Sequence, residues 1–357
     1  LHDTPQGFIN KPPRLIQGAT PEFIALVGPA FMAYQAEVKR IWNKDFSIFF
    51  TSGADNYTTA QFVHHPLWKY FENDVSSYDA SICRELGALE VWMARKFGAK
   101  RAVLDLMTSN IATHGVTTHG IRYKVDGTRK SGDPYTSLFN SILNALMHVY
   151  CLSDGQSPQH TLQLFRMIVQ GDDNLMSHAR FLNPDWGRLL RLGFKCDNIH
   201  RDRIEDCEFC SNIVYKTNLG YCFGPKPGRV LAKLLVFNNP PTDQNFYSIM
   251  RGVALGLQLP SQFIPPLKVV VDRILQLTAG IESVKTPFEE WKLLYKGGEC
   301  TSECLYLMTT RYHYDPTSLE IFNQRVSRWG QGSVVDEGIV DWLLDRDTTG
   351  PQCLYNL

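Results

Sequence analysis

The chain has 357 residues, 44% of them apolar, and its 36 lysines and arginines balance 36 aspartates and glutamates. That length accommodates two ordinary domains or one large multi-part domain with a real core, and the composition excludes a disordered or low-complexity chain. With no net charge, overall charge gives no argument for a polyanionic partner.

Taken in chain order, the first feature is Lys11-Pro12-Pro13-Arg14-Leu15-Ile16-Gln17, a basic segment that also fits a plain linker. The longest apolar stretch, residues 23–34, is interrupted by Gly28 and Pro29 and is too short for a membrane span. No secretory signal is read, and the chain opens on Leu1 rather than methionine, so a fragment or processed piece is expected, with further residues of the same fold upstream. Residues 71–75 form a predicted strand that ends at Asp74. The turn Ser76-Ser77 follows, then a helical pattern with Ile82, Leu86, Leu89, Met93 and Phe97 on one face. Asp79 falls near that helix start, where an aspartate equally serves as a cap.

Residues 120–127 predict a hairpin, and Ser131-Gly132-Asp133-Pro134-Tyr135-Thr136 predicts a loop entering a helix whose core face is Leu138, Ile142, Leu146 and Val149. Thr136, Asn140 and Asn144, four residues apart, make a separate polar stripe. Such a stripe is usually the wet side of a helix, yet this one starts at a glycine loop and a helix N-terminus, where free amides bind phosphate. Next, Phe165-Arg166-Met167-Ile168-Val169 and Leu175-Met176 flank Gly171-Asp172-Asp173. Gly-Asp is an ordinary two-residue hairpin connection; two carboxylates at its tip are equally suited to hold a divalent metal against phosphate.

The nine cysteines lack the pairing of a small secreted scaffold and point to a reducing compartment. Cys207 and Cys210, with Cys196, Cys222 and His200, supply zinc-type ligands at a spacing that matches no common finger, so free buried cysteines are the preferred reading. Basic groups occur at Arg122, Lys124, Arg129 and Lys130 and at Lys226, Arg229 and Lys233; such groups are more often solvated faces than nucleic-acid contacts unless they adjoin chemistry. Near the C-terminus Ile339, Trp342 and Leu343 show helical spacing without a chemical motif.

If the two carboxylate-ended strands are neighbours in one antiparallel sheet, Asp74 and Asp172 meet at one edge and can share two Mg²⁺ ions, which require hard oxygen ligands. The chemistry this serves is nucleotidyl transfer.

The order Asp74-x4-Asp79, Ser131-Gly132-x3-Thr136-x3-Asn140 and Gly171-Asp172-Asp173 resembles motifs A, B and C of the RNA-directed RNA polymerases of positive-strand RNA viruses. The segment from Lys11 to Gln17 looks like motif F, Leu192-Gly193-Phe194-Lys195 like motif D and Glu208-Phe209-Cys210-Ser211 like motif E, with a tombusvirus-like or nodavirus-like flavour. The resemblance implies an α+β right hand of fingers, palm and thumb with an antiparallel palm sheet flanked by helices. It divides the chain into fingers 1–69, incomplete at the N-terminus, palm 70–99, a fingers insertion 100–130, palm 131–233 and a mostly helical thumb 234–357.

It implies further that Asp74, Asp172 and Asp173 hold two Mg²⁺ ions, for which Mn²⁺ can substitute, while Asp79 and Asn140 read the ribose 2′-hydroxyl of the incoming nucleotide. Ser131, Gly132 and Thr136 would position template and nucleotide, Lys11 and Arg14 would neutralise the triphosphate, and Lys195 would protonate the leaving pyrophosphate. A lysine beside Phe194 is equally a snorkelling surface residue. The implied partners are template and nascent RNA, ribonucleoside triphosphates and other viral replication proteins, at replication complexes in the host cytoplasm. Two rivals are a reverse transcriptase, which uses the same palm with a bulky residue in place of Asp79, and a catalytically silent RNA-binding module with this fold.

Overall fold

The computed structural model describes residues 17–153, 155–234, 236, 245–284, 295–330 and 338–349, so Lys11 and Arg14 lie outside the described residues. Helix α1 (Pro21–Ile41) starts where the Thr20 hydroxyl accepts the Phe23 amide at 3.3 Å with Pro21 in the first turn, and its last turn carries Lys39 and Arg40. The apolar stretch that Gly28 and Pro29 interrupt in sequence lies within this one helix. Among the described residues no helix is long and apolar enough to cross a membrane.

Strand β1 (Ile48–Phe50) and helix α2 (Asn56–Val63) lead to β2 (Lys69–Val75), the short α3 (Tyr78–Ser81), α4 (Arg84–Lys96) and α5 (Arg101–Asn110). The single apolar face expected from Ile82 to Phe97 forms in part: Ile82 and Met93 are buried with Leu86 packed against their cluster, whereas Leu89 and Phe97 are 38% and 40% exposed and α4 turns Glu90 and Ala94 inward. The break between α3 and α4 has a local cause. Thr128 N–H donates to the Ile82 carbonyl at 2.6 Å, so that acceptor is taken by a remote segment and not by the next helical turn.

The hairpin expected within residues 120–127 lies further upstream: β3 (Ala112–Val116) pairs with β4 (Arg122–Asp126), so that window holds only the second strand. Helix α6 (Thr136–Leu152) follows the glycine loop, and α7 (Pro158–Thr161) leads to β5 (Phe165–Gln170) and β6 (Asp173–His178). After α8 (Gly187–Arg191) comes β7 (Cys196–Arg201). These strands make a sheet of order β1-β5-β6-β2-β7, antiparallel throughout except that β1 runs parallel to β5. The all-antiparallel sheet expected from the sequence is thus corrected at one edge.

Strand β5 is apolar and buried at Phe165 and from Met167 to Val169, with only Arg166 and Gln170 exposed, because both of its faces are covered there. Phe165, Met167 and Val169 cluster with Ala145 and Leu152 of α6, and Ile168 clusters with Ala60 and Val63 of α2. On α6, Leu138 and Ile142 are buried as expected while Leu146 is 44% exposed. Of the two readings open for the polar stripe, the wet side of the helix is excluded for its last two members: Asn140 and Asn144 are 3% and 0% exposed.

A second sheet joins β8 (Glu208–Phe209), β9 (Asn212–Thr217) and β10 (Gly220–Pro225), with β9 in the middle. Helices α9 (Pro227–Lys233), α10 (Phe246–Ser261), α11 (Pro265–Leu277), α12 (Ser302–Tyr312), α13 (Pro316–Ser327) and α14 (Gly338–Thr349) complete the described chain. Ile213, Tyr215 and Cys222 share a core with Phe263, Met308, Phe322 and Leu343 of that helical part.

Glu72, in the middle of β2, joins the two sheets: Arg201 Nε donates to its carboxylate at 3.3 Å and the Glu208 N–H at 2.9 Å. Burial, opposed by the charge of Arg201, pushes its pKa up to about 6. A carboxyl with a raised native pKa binds its proton more tightly folded than unfolded, so its contribution is full below the unfolded value and is lost as pH rises to the folded one. Stability should fall on this account by about 1 kcal/mol between pH 4.5 and 6, out of about 2 kcal/mol over the whole titration. Urea denaturation of Glu72→Gln at both pH values should lack that component; an unchanged pH slope would refute it.

Candidate active site

The β5–β6 hairpin closes on the pair Gln170 and Asp173, leaving Gly171 and Asp172 as its two-residue turn. Gly171 has φ 66°, a conformation that favours glycine. Strand β2 pairs antiparallel with β6 from Lys69 opposite His178 to Glu72 opposite Leu175. Two steps further along the same register Asp74 comes level with Asp173. Asp74 and Asp172 are exposed, and Asp74 stands directly opposite Asp197 of β7, a carboxylate the sequence motifs do not include.

Helix α6 holds this edge from beneath. Ser141 Oγ accepts the Gly171 amide at 2.7 Å, and Asn144 Nδ2 donates to the carbonyls of Gly171 at 3.2 Å and Asp172 at 2.8 Å. Asn144 Oδ1 accepts from Asn174 Nδ2 at 3.1 Å. One turn on, the ring Nδ1 of His148 lies 2.7 Å from the Asn144 carbonyl, and its Nε2 meets Asn73 Nδ2, next to Asp74. Complete burial pushes the His148 pKa down to about 4, so the ring is neutral at pH 7, with Nδ1 donating to the carbonyl and Nε2 accepting from Asn73. One buried polar ladder thus ties both carboxylate-bearing segments to a single helix. Only Asn144 of this ladder was visible as a pattern; Ser141, His148 and Asn73 carried no signal of their own.

Asp79 lies in the first turn of α3, but its carboxylate is not a cap. Asn140 Nδ2 donates to Asp79 Oδ1 at 3.0 Å, and the Tyr78 hydroxyl donates to the Asn140 carbonyl at 3.0 Å. Arg129 reaches both residues: its backbone N–H donates to the Asp79 carbonyl at 2.7 Å, and its Nε to Asn140 Oδ1 at 3.0 Å. The far side of the guanidinium ion-pairs with Glu90, both side chains being buried.

In the glycine loop Ser131 is exposed, and Thr136 Oγ1 donates to the Lys130 carbonyl at 2.7 Å, fixing the loop against the start of α6. Gly132 donates its amide to the Gln17 carbonyl at 2.9 Å, and a Cβ there would stand 2.5 Å from that same oxygen. The N-terminal segment therefore crosses this loop at backbone contact distance. Lys195 is exposed beside the fully buried Phe194, and its carbonyl accepts the Ser76 amide at 2.8 Å.

The basic groups divide. Arg129 and Lys226 are buried in ion pairs with Glu90 and Glu208, and Lys130, 7% exposed, donates to the Asn110 carbonyl, so these three face inward; Arg122 and Lys124 remain outside. Cys207 and Cys222 are buried in the β8–β10 layer, while Cys210 sits at the β8–β9 turn with φ 49°. Its thiol bonds to the Asp173 carboxyl.

Although Asp173 presents surface to solvent, crowding of its carboxyl group pushes its pKa up, and the charges of Asp172 and, less strongly, Asp74 add to the rise. Among the described residues no three His, Cys, Asp or Glu side chains already form a metal site. The donor set nevertheless suits magnesium, which commonly takes one or two carboxylates and completes its shell with water and substrate phosphate. Asp74 opposite Asp197, and Asp172 beside Asp173, are like charges that a cation would relieve.

The sequence model of a family described as RNA dependent RNA polymerase matches residues 4–250 of this chain. The chain is similar to the RNA-directed RNA polymerase of Pariacoto virus, 27% identical over 188 residues, covering 50% of the chain and 19% of that protein. It is also similar to the genome polyproteins of human hepatitis A virus genotype IA isolate HAS-15, 31% identical over 122 residues, and of avian encephalomyelitis virus strain L2Z, 31% identical over 109 residues. Those matches cover 31% and 29% of the chain and only 6% and 5% of the polyproteins. With the family match spanning well over half its length and every motif from Asp74 to Ser211 inside it, the chain belongs to the viral RNA-dependent RNA polymerase family.

Proposed function

We propose that this chain catalyses RNA-templated RNA synthesis, adding ribonucleotides to an RNA 3′ end in viral genome replication. The observation that carries the reading is the convergence on α6, which bears Asn140, of two motif segments distant from it in sequence: the Asp74–Asp79 segment and the turn at Asp172. Asp74 and Asp172, assisted by Asp173, would hold two Mg²⁺ ions, with Mn²⁺ able to substitute. When bound, the ions supply charge stabilisation for an attacking 3′-hydroxyl and a leaving pyrophosphate.

The chain's own residues do the rest. The α6 ladder fixes where Asp172 and Asp74 stand, so their carboxylates need little rearrangement to meet a triphosphate. Asp79 offers an acceptor and Asn140 a donor, 3.0 Å apart and bonded to each other, a combination that a hydroxyl can engage as both donor and acceptor and a 2′-hydrogen cannot. Ser131, Gly132 and Thr136 position template and nucleotide at the loop crossed by Gln17. Lys11 and Arg14 would neutralise the triphosphate, and the exposed Lys195 would supply a proton to pyrophosphate. Residues 70–99 and 131–233 act as palm, 1–69 with 100–130 as fingers and 234–357 as thumb. The partners are template and product RNA and ribonucleoside triphosphates, within replication complexes of the host cytoplasm that hold other viral proteins.

The pair Asp79–Asn140 also separates this reading from a reverse transcriptase. In RNA-primed extension on an RNA template with Mg²⁺, ribonucleotides should be used over deoxyribonucleotides by about 10²-fold or more. Preference for deoxyribonucleotides would favour reverse transcription, and absence of any extension would favour a silent RNA-binding module.

A further inference from the structure

We propose that Arg129, held by Glu90, is a specificity-determining positioning residue: it fixes the direction of the Asn140 amide and thereby sets the site's preference for ribose. The inference rests on the reading of Asp79 and Asn140 as the ribose-sensing pair.

An asparagine amide has an acceptor end and a donor end of nearly equal size, so its shape does not decide which way it points. A ribose sensor needs one direction only. With Nδ2 toward Asp79, the site presents the carboxylate as acceptor and the amide as donor. Turned over, the amide would set its oxygen against a carboxylate, two acceptors facing each other, and the pair would no longer match a hydroxyl.

Arg129 removes the second arrangement. A guanidinium has only donors, and Arg129 Nε lies 3.0 Å from Asn140 Oδ1. Turning the amide would place NH₂ against that donor at a site where Asn140 and Arg129 are 3% and 7% exposed, so water cannot repair the mismatch. The guanidinium is itself immobile, since Glu90 takes its far side and the Tyr135 ring lies 5.5 Å from its centre. The same residue's backbone N–H holds the Asp79 carbonyl at 2.7 Å. One side chain and one amide of Arg129 therefore hold both members of the pair. Lysine cannot replace it, because a single ammonium cannot serve Glu90 and Asn140 as a planar fork does.

The test compares kcat/KM for a ribonucleoside triphosphate with that for its 2′-deoxy analogue in wild type, Asn140→Ala, Arg129→Lys, Glu90→Gln and the double variant Arg129→Lys/Asn140→Ala, each checked by thermal melting. Arg129→Lys should lose about tenfold or more of the ribose preference, and the double variant should lose no more than Asn140→Ala alone, since both act through one amide. Glu90→Gln keeps an acceptor for the fork without its charge and should fall between wild type and Arg129→Lys, which preserves the test if the lysine variant does not fold. A folded Arg129→Lys or Glu90→Gln with wild-type preference, beside a preference-poor Asn140→Ala, would overturn the inference and leave the ribose reading standing. Wild-type preference in Asn140→Ala would overturn the ribose reading and this inference together.

Discussion

Asp172→Ala is expected to lower the rate of RNA-primed nucleotide addition by about 10³-fold or more, the effect of losing several kcal/mol of charge stabilisation at the reacting phosphate. Folding should be spared. The Asp172 side chain is exposed at a turn whose backbone is held by Asn144 and Ser141, so nothing in the core depends on its carboxylate. Its removal also relieves the like charge that helps push up the Asp173 carboxyl. Melting should therefore shift by no more than about 0.5 kcal/mol, as for a surface change. Primer extension and thermal melting on one preparation decide the matter: a stable variant that extends at the wild-type rate would remove Asp172 from the chemistry.

The second large effect is expected at Asn144, which touches no substrate. Asn144→Ala strands the Gly171 and Asp172 carbonyls and the Asn174 amide, all of which it now satisfies. Leaving such groups unpaired costs about 1–3 kcal/mol each where water cannot reach them, and partial relaxation of an edge turn should bring the total to about 2–4 kcal/mol. Activity should fall as well, by about 10²-fold, because a turn displaced by an ångström misplaces Asp172. Asn144→Asp separates the causes. It preserves volume and replaces two donated bonds with carboxylate-to-carbonyl repulsion, so it should be at least as damaging as alanine in both melting and rate. A mild Asn144→Asp phenotype would mean that packing, and not hydrogen-bond direction, is what Asn144 supplies.

The aspartates and the glycine loop were legible in the sequence because their chemistry restricts residue type: hard oxygen donors at strand ends, a small residue where backbones touch. That β2 and β6 are neighbours was only a condition at the level of sequence; the structure supplies the pairing, and its register brings the acidic ends level. What failed was the inference from polarity to exposure. Asn140 and Asn144 on α6, like Arg129 and Lys130 before it, have the spacing and charge of solvated positions yet are buried. Their partners, Asp79, Gly171, Asp172 and Glu90, lie far along the chain, and local periodicity carries no trace of them. The broken α3–α4 helix has the same origin, since Thr128 claims the Ile82 carbonyl from outside the segment being read. The β1–β5 pairing was hidden for another reason: three apolar residues do not declare their direction.

The contact between Gly132 and Gln17 gives the loop an asymmetric mechanical response. Pushed toward the N-terminal segment, the loop meets backbone atoms at once, and even a methyl group at 132 would overlap the Gln17 oxygen. Pulled away, it stretches a 2.9 Å hydrogen bond. The crossing thus works as a doorstop, stiff in one direction and yielding in the other, so that the loop swings more readily away from the N-terminal segment than toward it.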